Sequence, residues 1–148
     1  MRRWRELSAP FGLEDGARVT VDSAPIIHVL EDHPEFAPRF TALFEAEAAG
    51  LLEITMSAIT VAQVLAGPLK AGNEALADRY RRALSQWEIV AVDAEPATLA
   101  ARSRAAHGLR PPDALQAATA LQSASAALVT HDRDFATPTG LRVINGAP

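Results

Sequence analysis

Apolar residues along the chain follow two patterns that alternate with each other. Short, largely apolar segments at 18–21, 52–56, 88–92, 126–130 and 141–144 predict strands, the one at 126–130 buried and the last weaker than the rest. Between these runs the apolar positions recur every three or four residues. Ile26, Ile27, Val29 and Leu30 give a first helix its buried face, with Asp22 or Ser23 as cap, Pro25 in the first turn and His33-Pro34 as its end. Phe40, Leu43, Phe44 and Ala48 mark a second helix over 38–49, closed by Gly50. Ser57 caps a third that carries Ile59, Ala62, Gln63 and Ala66, and Gly67-Pro68 is expected to stop it. Further helices are expected over 73–85, over 94–107 with Gly108 as C-terminal cap, and over 113–123 following Pro111-Pro112.

Strands alternating with helices predict an α/β fold, a single domain over 18–148 with a mainly parallel central sheet flanked by helices. Residues 1–17 lack clear periodicity and form an extension of uncertain order, in which Trp4, Leu7 and Phe11 are candidates to pack on the domain or on a partner. Sheets of this kind bind ligands beyond the carboxyl ends of their strands. Asp22 and Asp132 stand there, directly after the runs at 18–21 and 126–130, and Asp113 opens an alanine-rich helix.

Composition narrows the chemistry. The 148 residues suit one domain, and 49% apolar with 22% charged residues is a globular rather than a disordered balance. No run reaches the ~18 apolar residues of a membrane span. The basic start is not followed by an apolar segment of signal-peptide length, so a cytoplasmic location is expected. The absence of cysteine removes disulfides, thiol nucleophiles and thiolate zinc sites. Any metal must therefore be held by oxygen or histidine, which favours Mg or Mn if the ligands are carboxylates. A net charge of −4 gives no overall attraction to nucleic acid, but a cation bound among the acids would reverse the local field. Arginines cluster at 79, 81 and 82 and again at 102, 104 and 110, as a local basic rim or, more simply, as solvated helix faces.

Each of the three aspartates alone has an ordinary explanation as a cap or as a charge at a helix N-terminus. Gathered on one sheet edge they would repel one another unless a divalent cation lay between them. A metal site is the economical reading.

Four segments then carry a family resemblance. Val-Thr-Val-Asp-Ser at 19–23, Ser-Ala-Ile-Thr-Val-Ala-Gln-Val-Leu-Ala-Gly-Pro at 57–68, Arg-Pro-Pro-Asp-Ala at 110–114 and Leu-Val-Thr-His-Asp-Arg-Asp-Phe at 128–135 resemble, in order, the signature segments of PIN-domain nucleases. The likeness is greatest to VapC-type toxins of toxin–antitoxin pairs and spans about 18–145. It implies an Mg- or Mn-dependent endoribonuclease with a small antitoxin partner, in a family where homodimers are common. Asp22, Asp113 and Asp132 carry over as catalytic metal ligands, direct or through water, and Thr130 as the hydroxyl that orients them.

The chain departs from the family pattern at two positions. Gln63 stands where the family usually has glutamate, and His131 where it usually has asparagine. An amide oxygen can ligate but brings no charge. A unit charge about 4 Å from another is worth on the order of 4 kcal/mol at an effective dielectric of 20, so weakened metal binding is expected. Asp134 is a candidate to compensate, though a solvated loop acid is the preferred reading. His131 reads as a polar loop residue. His28, His33 and His107 show no ligand spacing and receive no role, while Trp87 and Phe135 read as core. Phe40, Leu43 and Phe44 read as core first and as an antitoxin-docking face second. The rival of the nuclease reading is a catalytically silent PIN domain that binds RNA or protein. Phosphatase, receiver and dinucleotide folds are poor fits, because Ala24 replaces a needed second acid, Lys70 is the only lysine and no glycine-rich turn follows the first strand.

Overall fold

The computed structural model describes residues 8–132 and 141–147. Five strands, β1 (Ala17–Val21), β2 (Leu52–Ser57), β3 (Glu88–Val90), β4 (Ala127–Val129) and β5 (Arg142–Ile144), form one sheet in the order β3-β2-β1-β4-β5. Every pairing is parallel, with Thr20 opposite Thr55 on β2 and Val21 opposite Val129 on β4. β1 is the centre. The chain proceeds outward from it through β2 and β3 on one side, and β4 and β5 lie on the other. The order thus reverses between β1 and β4, and the loops leaving their carboxyl ends open a crevice there.

Six helices cover the sheet: α1 (Ser23–Leu30), α2 (Ala37–Ala48), α3 (Ala58–Lys70), α4 (Glu74–Leu84), α5 (Ala94–His107) and α6 (Pro111–Gln122). One core cluster joins Val19, Val21, Ile54 and Met56 of the sheet to Ile26, Phe40, Leu43, Val64, Tyr80 and Leu84 from α1 to α4. A second joins Leu128 and Leu141 to Ala100 on α5 and Ala114, Ala117, Ala118 and Ala120 on α6. The alanine run bears the closest packing. All four of those α6 alanines are fully buried, and side chains of this size let α6 lie against α5 and the sheet together. Polar groups inside the sheet are paired, since the Thr20 hydroxyl lies 3.0 Å from that of Thr55 and 2.9 Å from that of Ser125.

Several boundaries differ from the sequence expectation. α3 runs through Gly67-Pro68 to Lys70. A proline there forfeits only the single bond its missing N–H would make, and Pro68 is buried, which offsets part of that loss. The stop falls at Gly72, whose φ of +69° is left-handed backbone that glycine adopts freely. α6 starts at Pro111 rather than at 113. Its two prolines occupy the first helical positions, where their missing N–H groups have no intrahelical partner to lose. β1 starts at Ala17, and β3 stops at Val90, short of the expected 92, with Ile89 within it and Val92 beyond it both exposed.

Phe40 and Leu43 are fully buried, the core role expected for them first, which removes both from the docking face weighed second. Phe44 is half-buried, with its ring 5.4 Å from that of Trp87, which packs against the first cluster as expected. Upstream of β1, Ala9 and Leu13 are buried in the same cluster, Asp15 accepts the Ala9 N–H at 3.0 Å, and Arg142 donates to the Phe11 carbonyl. Trp4, Leu7, Asp134 and Phe135 lie outside the described residues.

Candidate functional site

Asp22 is the first residue past β1, and its N–H still donates to the Val129 carbonyl at 2.8 Å, so the β1–β4 pairing fixes its backbone. Extended backbone at Asp22 (φ −71°, ψ 167°) turns the chain into α1. Its Oδ1 accepts the Ser23 N–H at 2.7 Å, which makes Asp22 the helix cap. Oδ2 accepts the Thr130 hydroxyl at 3.0 Å.

Thr130 is buried just past β4, held by its own N–H donating to the Ile144 carbonyl at 2.9 Å. Besides donating to Asp22, its hydroxyl oxygen accepts the Asp132 N–H at 3.2 Å. One side chain thus ties the loops bearing two of the three acids across the crevice.

Asp113 lies in the first turn of α6, with Arg110 Nε 3.6 Å from its Oδ2. Burial pushes its carboxyl above the usual aspartate range. The neighbouring charge of Asp22 raises it further, Arg110 pulls it down, and Asp132 adds a smaller upward push. Asp22 and Asp132, two of the aspartates named from sequence, thus both act electrostatically on the third, Asp113. Arg110 is largely exposed and offers the trio only partial neutralisation.

Among the described residues, no group of three or more His, Asp or Glu side chains is arranged to cage a metal ion. The donor chemistry nevertheless fits a hard cation. It consists of carboxylate oxygens and a hydroxyl, and Mg²⁺ keeps most of its waters while using one or two carboxylates. Asp22, Asp113 and Asp132 are the residues that could hold such an ion.

Gln63 lies on α3, half-buried, with its Oε1 3.5 Å from Nε2 of Gln116. The same Gln116 nitrogen donates to the Thr60 hydroxyl at 2.8 Å. Gln116 is one turn past Asp113 on the same face of α6, so Gln63 meets the helix that carries the acid. Sequence reading missed Gln116. The available signal was a long polar side chain inside an alanine run, three residues after an acid.

His131 is more than a polar loop residue. Its Nδ1 lies 2.9 Å from Nε2 of His28, and its ring stands 4.5 Å from that of Phe36. His33 stacks on the same Phe36 at 4.5 Å, and the Arg39 guanidinium lies 5.2 Å from the Phe36 centroid. Two histidines that received no role from spacing thus brace the residue before Asp132. The arginines of α4 and α5, by contrast, are exposed on helix faces, and a groove of about 460 Å³ between α5 and α6 contains none of the three acids.

Comparison with known proteins agrees with this geometry. No curated relative matches the chain by sequence. Among solved structures, a toxin–antitoxin complex from Klebsiella pneumoniae superposes with a TM-score of 0.68 at 25% identity, covering 87% of this chain and 98% of that one. VapBC2 from Rickettsia felis, bound to a DNA fragment from its promoter, gives 0.69 at 19% identity over 86% and 97% of the two chains. VapBC-1 from nontypeable Haemophilus influenzae gives 0.64 at 18% identity over 87% and 98%. The family model for the PIN domain matches residues 19–140, a span that contains all four segments on which the resemblance rested and all three aspartates, and the chain accordingly belongs to the PIN-domain family.

Proposed function

We propose that this protein is a metal-dependent endoribonuclease of the VapC toxin type, cutting RNA phosphodiester bonds at the crevice between β1 and β4. The observation that carries the reading is the gathering of three carboxylates at the topological switch point, two of them joined through Thr130 and the third raised in pKa by burial first and then by the charges of the other two. Such an arrangement is unfavourable for folding alone and becomes favourable when a divalent cation is bound.

Mg²⁺ or Mn²⁺ held by Asp22, Asp113 and Asp132 would supply a water of lowered pKa and positive charge near the leaving oxygen. The chain's own residues do the positioning. Thr130 fixes one oxygen of Asp22 and the backbone of Asp132, and the Ser23 N–H fixes the other oxygen of Asp22. Arg110 adds positive charge at the edge, where RNA phosphates would approach.

A small antitoxin partner is part of the proposal, supported by solved relatives that are toxin–antitoxin complexes. Such a pair would work in the cytoplasm, and no helix among the described residues is long and apolar enough to cross a membrane.

A catalytically silent domain that binds RNA or protein is the second reading, favoured by Gln63 in place of an acid. Incubation of pure protein and of Asp113→Asn with structured RNA and Mn²⁺ separates the two. Cleavage by wild type and loss in the variant support the nuclease. Equal cleavage, or none with undiminished RNA binding, supports the silent domain.

A further inference from the structure

The amide of Gln63 has an orientation, and Gln116 sets it. Gln116 is only 1% exposed, and its amide nitrogen has two hydrogens to place. In the arrangement observed, one points to the Thr60 hydroxyl at 2.8 Å and the other towards Gln63 Oε1 at 3.5 Å, while the amide's own acceptor, Gln116 Oε1, is buried without a hydrogen-bond partner among the described residues. Turning the Gln116 amide over would satisfy that one oxygen from Thr60. It would also bury an NH₂ group with two unmet donors, the costlier outcome. The buried amide therefore faces Thr60 and Gln63 as a donor, and Gln63 answers with its oxygen.

An amide whose oxygen is turned inward has its nitrogen turned outward. Gln116 is buried and Gln63 half-exposed, so outward is the open side of the contact between α3 and α6. A glutamate at 63 would keep one oxygen on Gln116 and present the other, negatively charged, to a cation. Gln63 presents two N–H groups instead, which repel a cation and attract an anion.

We infer that Gln63 is a hydrogen-bond donor to an anionic phosphate oxygen of the RNA backbone rather than a metal ligand, with Gln116 as the positioning residue that holds it in this sense. The inference rests on the nuclease reading of the site. It replaces the expectation that the Gln63 oxygen coordinates weakly with a different role for the same residue.

The test measures Mn²⁺ affinity by calorimetry and the affinity of a short single-stranded RNA in EDTA by fluorescence anisotropy, where no cleavage intervenes. Gln63→Ala is expected to leave the Mn²⁺ Kd within about twofold and to weaken RNA about tenfold, the scale of one hydrogen bond to a charged group. Gln63→Glu is expected to weaken RNA as well but, unlike Gln63→Ala, to tighten Mn²⁺. Gln116→Met, which keeps the volume and removes the donors, is expected to weaken RNA in the wild-type background but not further in Gln63→Ala, a non-additivity that a merely structural role would not produce. A tenfold loss of Mn²⁺ affinity in Gln63→Ala overturns the inference, because the oxygen would then be a ligand. So does unchanged RNA affinity in a variant whose wild-type parent binds both. If wild type binds neither Mn²⁺ nor RNA, the nuclease reading itself falls and takes this inference with it.

Discussion

Thr130 and Asp22, 108 positions apart in sequence, are joined by a 3.0 Å hydrogen bond across the carboxyl ends of β4 and β1. The Thr130 hydroxyl has one hydrogen, and giving it to Asp22 leaves its lone pairs to receive the Asp132 N–H at 3.2 Å.

Replacing Thr130 with valine keeps the shape and deletes both bonds. The Asp132 N–H and one Asp22 oxygen lose the Thr130 hydroxyl, and the expected cost is about 1–3 kcal/mol of stability, read by urea denaturation. Mn²⁺ affinity should fall as well. Thr130→Ser, which restores the hydroxyl, should recover most of both; recovery of stability without recovery of Mn²⁺ binding would show that the hydroxyl matters to the fold alone.

Asp113 makes a prediction of a different kind, because the pKa of its carboxyl is raised, by burial first and then by Asp22. Between the unfolded and the raised folded pKa the native state binds more protons than the unfolded chain. Stability therefore falls as pH rises through that window, and the full penalty is present above it. Asp113→Asn should raise Tm at pH 7, with the gain shrinking on acidification through the aspartate range. Saturating Mn²⁺ should raise the wild-type Tm, since ligand at 100 times its Kd adds ~2.7 kcal/mol, and should raise that of Asp113→Asn much less. Equal metal-induced shifts in the two proteins would remove Asp113 from the ligand set.

What sequence made visible here, and what it hid, follows the range of the interactions. β1, β2 and β4 were readable because short segments rich in Val, Ile, Leu and Thr between helical patterns mark buried strands, and Asp22 and Asp113 because a strand end or a Pro-Pro helix start is local chemistry. The end of α3 was misjudged because a proline near a helix C-terminus loses one bond, a local deficit that burial of Pro68 offsets through tertiary packing. Phe40 and Leu43 read equally well as core or docking face, since periodicity shows that a helix has an apolar side without showing what covers it. Gln116 and the His28–His131 contact were invisible for a stronger reason. Their partners lie 53 and 103 residues away, and nothing in local spacing announces them.

Gly146 offers a test of packing near the site. Its φ is +68°, and a Cβ placed there would stand 2.8 and 2.9 Å from two atoms of the Phe40 ring and 3.1 Å from Arg39 Cβ. Phe40 is fully buried and has little room to retreat. Gly146→Ala therefore combines left-handed backbone strain with overpacking, and a loss of about 2–4 kcal/mol is expected from the two together. A midpoint in urea unchanged from wild type would mean that this terminal segment does not pack on α2 in solution.

The contact between His28 and His131 gives the last prediction. A 2.9 Å bond between two ring nitrogens needs one to donate and the other to accept, so it fails when both rings are cationic. The pKa of His28 is held below the ordinary histidine value, by burial first and then by the neighbouring His131 and His33. For a histidine so lowered, the unfolded chain takes up its proton first as pH falls. The stability contributed by neutral His28 is thus fully present above about pH 6.5 and declines below it. This trend is opposite in sign to that of Asp113, and it begins at higher pH. His28→Phe keeps a ring against Phe36 and Phe40 while removing the titration and the bond. It should lower Tm at pH 7.5 by the worth of one hydrogen bond, about 1 kcal/mol, and should flatten the fall in Tm between pH 7.5 and 5.5. A slope equal to that of wild type would show that His28 does not govern acid sensitivity in this range.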